Sequence, residues 1–164
     1  MDTLLPSDLI AAAARVIETN RAAGRIVALA ESCTGGLVAA ALTEIDGSSA
    51  VLDRGYVTYS NEAKQQMLGV SVDIIETFGA VSIATAWAMA QGALLRSGAD
   101  VAVAITGIAG PGGATPGKPV GTVVFARALR GSDEILTDQV VFEDNGRAGV
   151  RLQAALMALE LLLP

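Results

Sequence analysis

Histidine is missing altogether from the 164-residue sequence. Its absence removes the histidine bases of the common hydrolase triads and every histidine-ligated metal centre. There is one cysteine, Cys33, so neither an intrachain disulfide nor a thiolate zinc cluster can form. A lone thiol suits a reducing compartment. Lysine is nearly as scarce, with only Lys64 and Lys118. Aromatic residues make up 4% against 52% for all hydrophobic types, so the core is expected to be helices packed on a sheet through small aliphatic side chains. The formal charge of −6 argues against a nucleic-acid binder, and an anionic small ligand would need a local basic site. Met1-Asp2-Thr3 has no basic n-region, so no signal peptide is expected and the location expected is the cytoplasm. The longest uncharged run, Thr77–Leu95, is mostly alanine and too weakly apolar for a membrane span. It reads as a buried helix, and no membrane partner is expected.

What is present alternates between helical and strand patterns. Ser7-Asp8 starts a helix whose stripe Leu9, Ala13, Val16 and Ile17 stops by Gly24. Ile26–Ala30 is a continuous apolar run, as in a strand buried on both faces, and Leu37, Val38, Ala41, Leu42 and Ile45 then recur at helical spacing. A second strand is expected over Arg54–Tyr59, with helices over Glu62–Leu68, Val72–Thr77 and Ser82–Ser97. Val101–Thr106 is a third strand that runs into a glycine-rich loop ending at Pro119. Val120–Ala128 and Ile135–Phe142 form a strand pair, and Arg147–Leu163 closes the chain as a helix. No repeat or long linker divides the chain, so residues 1–164 are expected to form a single α/β domain with a mixed sheet.

Between the first strand and its helix lies Glu31-Ser32-Cys33-Thr34-Gly35-Gly36. Its hydroxyls and thiol sit where open α/β sheets bind ligands, and the N–H groups of Thr34, Gly35 and Gly36, or those of the Thr106–Gly107 turn, are the expected donors to an oxyanion there. The structural alternative is that Ser32 or Thr34 merely caps the helix. Without histidine, a hydrolase needs a lysine, carboxylate, tyrosine or metal to activate its nucleophile. Lys64 follows a strand end in Tyr59-Ser60-Asn61-Glu62-Ala63-Lys64. If the strands at Arg25–Ala30 and Arg54–Tyr59 are parallel neighbours, Ser32 and Lys64 face each other as in a serine–lysine amidase. A desolvated lysine loses affinity for its proton and can act as base; a solvated lysine paired to a nearby glutamate is the alternative. Gly112–Lys118 matches G-x-x-x-x-G-K, but Pro119 stands where a phosphate loop needs serine or threonine, and a strand follows instead of a helix. That loop is read as offering N–H groups to an oxyanion or ligand, or else as a flexible surface loop.

Ala30–Gly36, Tyr59–Lys64, Thr106-Gly107-Ile108-Ala109-Gly110-Pro111 and Lys118-Pro119-Val120-Gly121-Thr122 occur in that order. Together they resemble the C-terminal domain of the competence/damage-inducible CinA family, whose enzymatic members are nicotinamide-nucleotide amidases. The likeness covers nearly the whole chain, read here as that domain without the N-terminal nucleotide-hydrolysing domain of longer relatives. It implies a three-layer α/β/α sandwich and deamidation of nicotinamide mononucleotide to nicotinate mononucleotide and ammonia, a step of pyridine-nucleotide salvage. It also implies Ser32 as nucleophile, Lys64 as general base and Tyr59 close to both, with Ser49 and Thr106-Gly107 lining the pocket. It further implies Arg147 as a phosphate partner, although Asn145-Gly146 replaces the glycine and acid usual before it. Arg54 and Arg151 compete for that role, and an ion pair of Arg147 with Glu143 or Asp144 is the structural alternative. The expectation is therefore an amidase that needs no cofactor or metal, acts on a small molecule, and forms or does not form a homo-oligomer. Two alternatives stand beside it: a non-catalytic nucleotide-binding domain serving a partner protein, and an amidase for another carboxamide.

Overall fold

Leu9, Ala13, Val16 and Ile17 are all buried along one side of helix α1 (Ser7–Ala23), which stops at Gly24 in the left-handed conformation. The computed structural model describes residues 3–164, so the Met1-Asp2 start considered for a signal peptide lies outside the described residues. After α1 come β1 (Val27–Glu31), α2 (Leu37–Thr43), β2 (Leu52–Val57), α3 (Asn61–Leu68), α4 (Val72–Phe78) and α5 (Ile83–Leu95). The chain continues through β3 (Val101–Gly107), β4 (Thr122–Leu129), β5 (Ile135–Val141) and α6 (Gly146–Leu161).

The strands form one mixed sheet in the order β2-β1-β3-β4-β5. β1 is parallel to both β2 and β3, while β4 runs antiparallel to β3 and to β5. Because β2 lies on one side of β1 and β3 on the other, the chain reverses its winding at β1. A crevice opens at the carboxyl end of such a strand. Every residue of β1 is buried, which accounts for its uninterrupted apolar run.

Two cores flank the sheet. Val27, Leu29, Val103, Ile105 and Phe125 pack beneath α1, α2 and α6. Ala28, Ala30, Ala102, Ala104 and Ala126 face α5 and its alanines, with Leu68 of α3 and Ile75 of α4 at the margin. The small side chains on both sides let α5 lie close to the sheet, which is how a chain with few aromatics fills its interior. The expected α/β/α sandwich with a mixed sheet is the fold observed.

Boundaries differ most at β2, which spans Leu52–Val57 rather than Arg54–Tyr59. As an edge strand with its middle exposed, it carries little of the alternation that would mark its ends. Its pairing with β1 is parallel, as the site argument required. No phosphate loop forms after Gly112: Thr115 and Lys118 exchange backbone hydrogen bonds across a tight turn, and the next element is β4. No helix among the described residues is long and apolar enough to cross a membrane.

Candidate active site

At the carboxyl end of β1, the Ser32 N–H donates to the Ile105 carbonyl of β3, and the Ser32 carbonyl accepts from the Gly35 N–H. These bonds fix a tight turn that carries the Ser32 side chain into a cavity of about 300 Å³. Ser32, Cys33, Tyr59, Lys64, Thr106, Gly107 and Arg147 line it, with Ala80-Val81 and the loop from Ile108 to Gly113 as its walls.

Lys64 enters from the first turns of α3, which Ser60 caps by accepting the Ala63 N–H. The residue is only 1% exposed. Its Nζ lies 2.9 Å from Ser32 Oγ, 2.8 Å from the Thr58 carbonyl oxygen and 3.4 Å from that of Tyr59. No ion pair involves it among the described residues, so the solvated, glutamate-paired alternative does not hold. Burial pushes the amine down to about 8, with Cys33 opposing weakly. A neutral amine has two N–H bonds and a lone pair. The protonated amine donates to Ser32 Oγ and to both carbonyls; once neutral, with the carbonyls keeping its two N–H bonds, it would have its lone pair left for the serine hydroxyl.

Tyr59 is 61% exposed at the rim, and it is its backbone carbonyl that touches Lys64. Its hydroxyl instead accepts from Arg147 Nη2 at 2.8 Å. Arg147, in the first turn of α6, also donates to the Gly110 carbonyl at 2.7 Å. It therefore bridges α6, the rim tyrosine and the glycine-rich loop through neutral partners, rather than pairing with Glu143 or Asp144. Those two contacts orient it despite the Asn145-Gly146 substitution. Of its competitors, Arg151 holds the Cys33 and Thr34 carbonyls, and Arg54 holds Asp53 and the Arg96 carbonyl. Thr106, buried, donates its hydroxyl to the Ala80 carbonyl, and Lys118 donates to that of Val81. Both hold the α4–α5 connection against the cavity.

Two expectations are corrected. Ser49 lies in a short 3-10 turn, Ser48–Ala50, that leads into β2. Since β2 runs parallel to β1, this turn is at the opposite edge of the sheet from Ser32, and Ser49 does not line the cavity. Thr34, Gly35 and Gly36 do not line it either. The reason is Glu31, a buried residue to which the sequence reading gave no role. Its carboxylate accepts from the N–H groups of Gly36, Val38 and Ala39 at 3.1, 3.2 and 2.9 Å. It thereby occupies the start of α2 in place of a ligand or of a Ser32 or Thr34 cap. A charged residue ending an otherwise apolar strand was the available signal. Gly35 and Gly36, both with positive φ, let the chain fold back over that carboxylate.

Gly107 is differently placed. The Ile108 N–H donates to the Thr122 carbonyl of β4, so strand alternation turns the Gly107 N–H the other way, toward the space where β1 has ended. Cys33 is buried behind Ser32, and burial pushes its thiol up to about 11.

The sequence pattern that defines the CinA C-terminal domain matches residues 10–164. The chain belongs to the CinA C-terminal domain family. It is 53% identical over 144 residues to the nicotinamide-nucleotide amidohydrolase PncC of Enterobacter agglomerans, covering 87% of this chain and 86% of that one. It is 54% identical over 140 residues to a CinA-like protein of Mycolicibacterium vanbaalenii. That match covers 85% of this chain but 33% of the relative, so the CinA domain spans about a third of the longer proteins it resembles. Among solved structures, the competence/damage inducible protein CihA from Agrobacterium tumefaciens superposes with a TM-score of 0.94 at 52% identity, covering 98% and 97% of the two chains. A CinA superfamily protein from Klebsiella pneumoniae gives 0.88 at 40% identity, covering 94% of each.

Proposed function

We propose that residues 1–164 act as a single amidase domain that hydrolyses nicotinamide mononucleotide to nicotinate mononucleotide and ammonia, in the cytoplasm and within pyridine-nucleotide salvage. The observation that carries this reading is the buried Lys64 amine, 2.9 Å from Ser32 Oγ and without an ion-pair partner among the described residues. Likeness to PncC, a nicotinamide-nucleotide amidohydrolase by name, supports the choice of substrate.

In the proposed mechanism Ser32 Oγ attacks the carboxamide carbon while its proton passes to Lys64 Nζ. The Gly107 N–H is the donor offered to the resulting oxyanion, since the α2 N–H groups are taken by Glu31. Collapse of the tetrahedral intermediate breaks the C–N bond, and Lys64 returns the proton to the departing ammonia. A water then hydrolyses the Ser32 ester with Lys64 again as base. Arg147 takes the substrate phosphate, and Tyr59, bonded to it, shapes the rim beside the pyridine ring.

The test is ammonia release from nicotinamide mononucleotide by wild type and Ser32→Ala. Turnover by wild type, and none by a variant with an unchanged melting profile, is expected. Full activity with a lowered melting temperature would reduce Ser32 to a structural residue. Tight nucleotide binding without turnover by wild type would favour a binding domain, and turnover of other carboxamides alone would change the substrate.

A further inference from the structure

At the end of the sheet opposite Ser32, Arg25, Asp100, Arg127, Leu129, Arg130 and Pro164 line an open cavity of about 360 Å³. Arg25 stands just before β1, seven residues from Ser32, which at ~3.3 Å per extended residue puts the two cavities roughly 20 Å apart. Arg127 belongs to β4 and projects from the same face as Phe125, beyond the last turn of α6. The three cations are not equivalent. Arg130 is fully engaged, donating to the carbonyls of Ala99, Leu94 and Ser97 at 2.7, 2.8 and 3.0 Å. Arg25 and Arg127 enter no ion pair among the described residues, where the two pairs found are Arg15–Glu160 and Arg54–Asp53.

Arg127 also carries a buried Nε–H that has no acceptor. Asp100, the one acidic side chain lining this cavity, uses Oδ2 to accept the Ile26 N–H at 2.8 Å. Glu134 lines the adjoining cavity on the far side of Arg127 without pairing with it. Burial and the neighbouring Arg127 hold the Arg25 guanidinium below its ordinary value, and Asp100 only partly offsets them. Arg25 and Arg127, neither of them in an ion pair among the described residues, and the orphaned Nε–H leave more donor capacity here than Asp100 takes up. Guanidinium forks suit an oxyanion with several acceptor oxygens.

We propose that the Arg25–Arg127 cavity binds a phosphate group, free or as the monoester of a small metabolite, at a site separate from the Ser32 cavity. The test is a melting-temperature titration with inorganic phosphate and with ribose 5-phosphate, each against chloride at equal ionic strength. Phosphate at about ten times its Kd should raise the wild-type Tm by about 3 °C or more. In an Arg147→Met background, where the Ser32 cavity's own phosphate partner does not contribute, the rise should persist, and adding the double change Arg25→Met/Arg127→Met in that background should remove most of it. A larger rise with ribose 5-phosphate would assign a phosphomonoester, and a larger rise with phosphate the free ion. No rise over chloride, or an equal rise in the double variant, would overturn the proposal. Should the double variant not fold, the wild-type Arg127 Nε–H resonance, assigned by its loss in Arg127→Met, decides the matter. It must shift saturably with phosphate and stay still with chloride; a resonance that stays still with both overturns the site.

Discussion

A lysine that serves as a base near neutrality has to surrender its proton there, and the surroundings of Lys64 favour that. Burial pushes its amine down to about 8 from an ordinary 10.5. The rate of amide hydrolysis, as kcat/KM, should therefore climb about tenfold per pH unit below that value and level off above it. Lys64→Met should abolish the reaction. Stability gives an independent reading. Below pH 8 both the folded and the unfolded chain hold this proton. Between about 8 and 10.5 the unfolded chain binds it and the folded chain does not, so this residue's contribution to stability rises with pH across that window. Urea unfolding of wild type and Lys64→Met at several pH values should show wild type gaining on the variant from pH 8 to 10.5; a constant gap would mean that Lys64 keeps its proton. The neighbouring thiol serves as contrast. Cys33 is held protonated, up to about 11, and a thiol is a poor nucleophile until it ionises. Cys33→Ala should keep most of its activity where Ser32→Ala keeps none, and loss of activity in both would shift the chemistry toward the sulfur.

At the scale of elements, two packing contacts decide whether Ser32 and Lys64 meet. Gly92 of α5 lies against α3, and a Cβ there would overlap the Leu68 carbonyl oxygen. Gly92→Ala should force α3 outward and move Lys64 with it, lowering kcat and Tm together although residue 92 lines no part of the Ser32 cavity. Unchanged kcat in a folded Gly92→Ala would show that α3 tolerates displacement. Glu31 holds α2 by its first N–H groups, and leaving buried polar groups unpaired costs about 1–3 kcal/mol each. Glu31→Ala should lower stability by several-fold more than loss of an ordinary cap, and a urea midpoint close to wild type would rule out that role. These contacts also mark what the sequence could disclose. The apolar run of β1, the stripe of α1 and the order of elements were legible because periodicity reports burial. The Ser32–Lys64 pairing was legible because parallel neighbours bring their carboxyl ends together. The place of Ser49 was not, since it depends on which edge of the sheet a connecting turn occupies. Nor was the fate of the α2 N–H groups, because Glu31 reaches them only after two glycines reverse the chain. The extent of β2 was blurred because an exposed edge strand needs no strict alternation.

Over the whole molecule, the balance of charge sets the hardest demand on substrate capture. On the proposed reading, a chain of net charge −6 has to collect a substrate through its dianionic phosphate, and its field as a whole opposes that approach. Attraction must therefore come from a cation at the cavity itself that no carboxylate neutralises. Among the residues lining the Ser32 cavity, two carry positive charge, Lys64 and Arg147. Lys64 is buried against the serine and, in the proposed mechanism, reacts as the neutral amine, which leaves Arg147. Its present partners, the Gly110 carbonyl and the Tyr59 hydroxyl, are uncharged, so its charge is available to a phosphate. The same contacts place it where α6, the glycine-rich loop and the rim tyrosine converge, at the mouth of the cavity rather than beside Ser32. A group held there should bind ground state and transition state alike. Arg147→Met should then raise KM for nicotinamide mononucleotide with kcat little changed, by about ten- to a hundredfold if a charge-assisted contact of 1.5–3 kcal/mol is lost. Nicotinamide riboside, which has the same carboxamide and ribose but no phosphate, should be turned over equally by wild type and variant. Steady-state kinetics on both substrates make the comparison. An equal loss on the two would assign Arg147 to holding Tyr59 and the Gly110 loop in place, and no loss on either would leave the phosphate to a group outside this cavity.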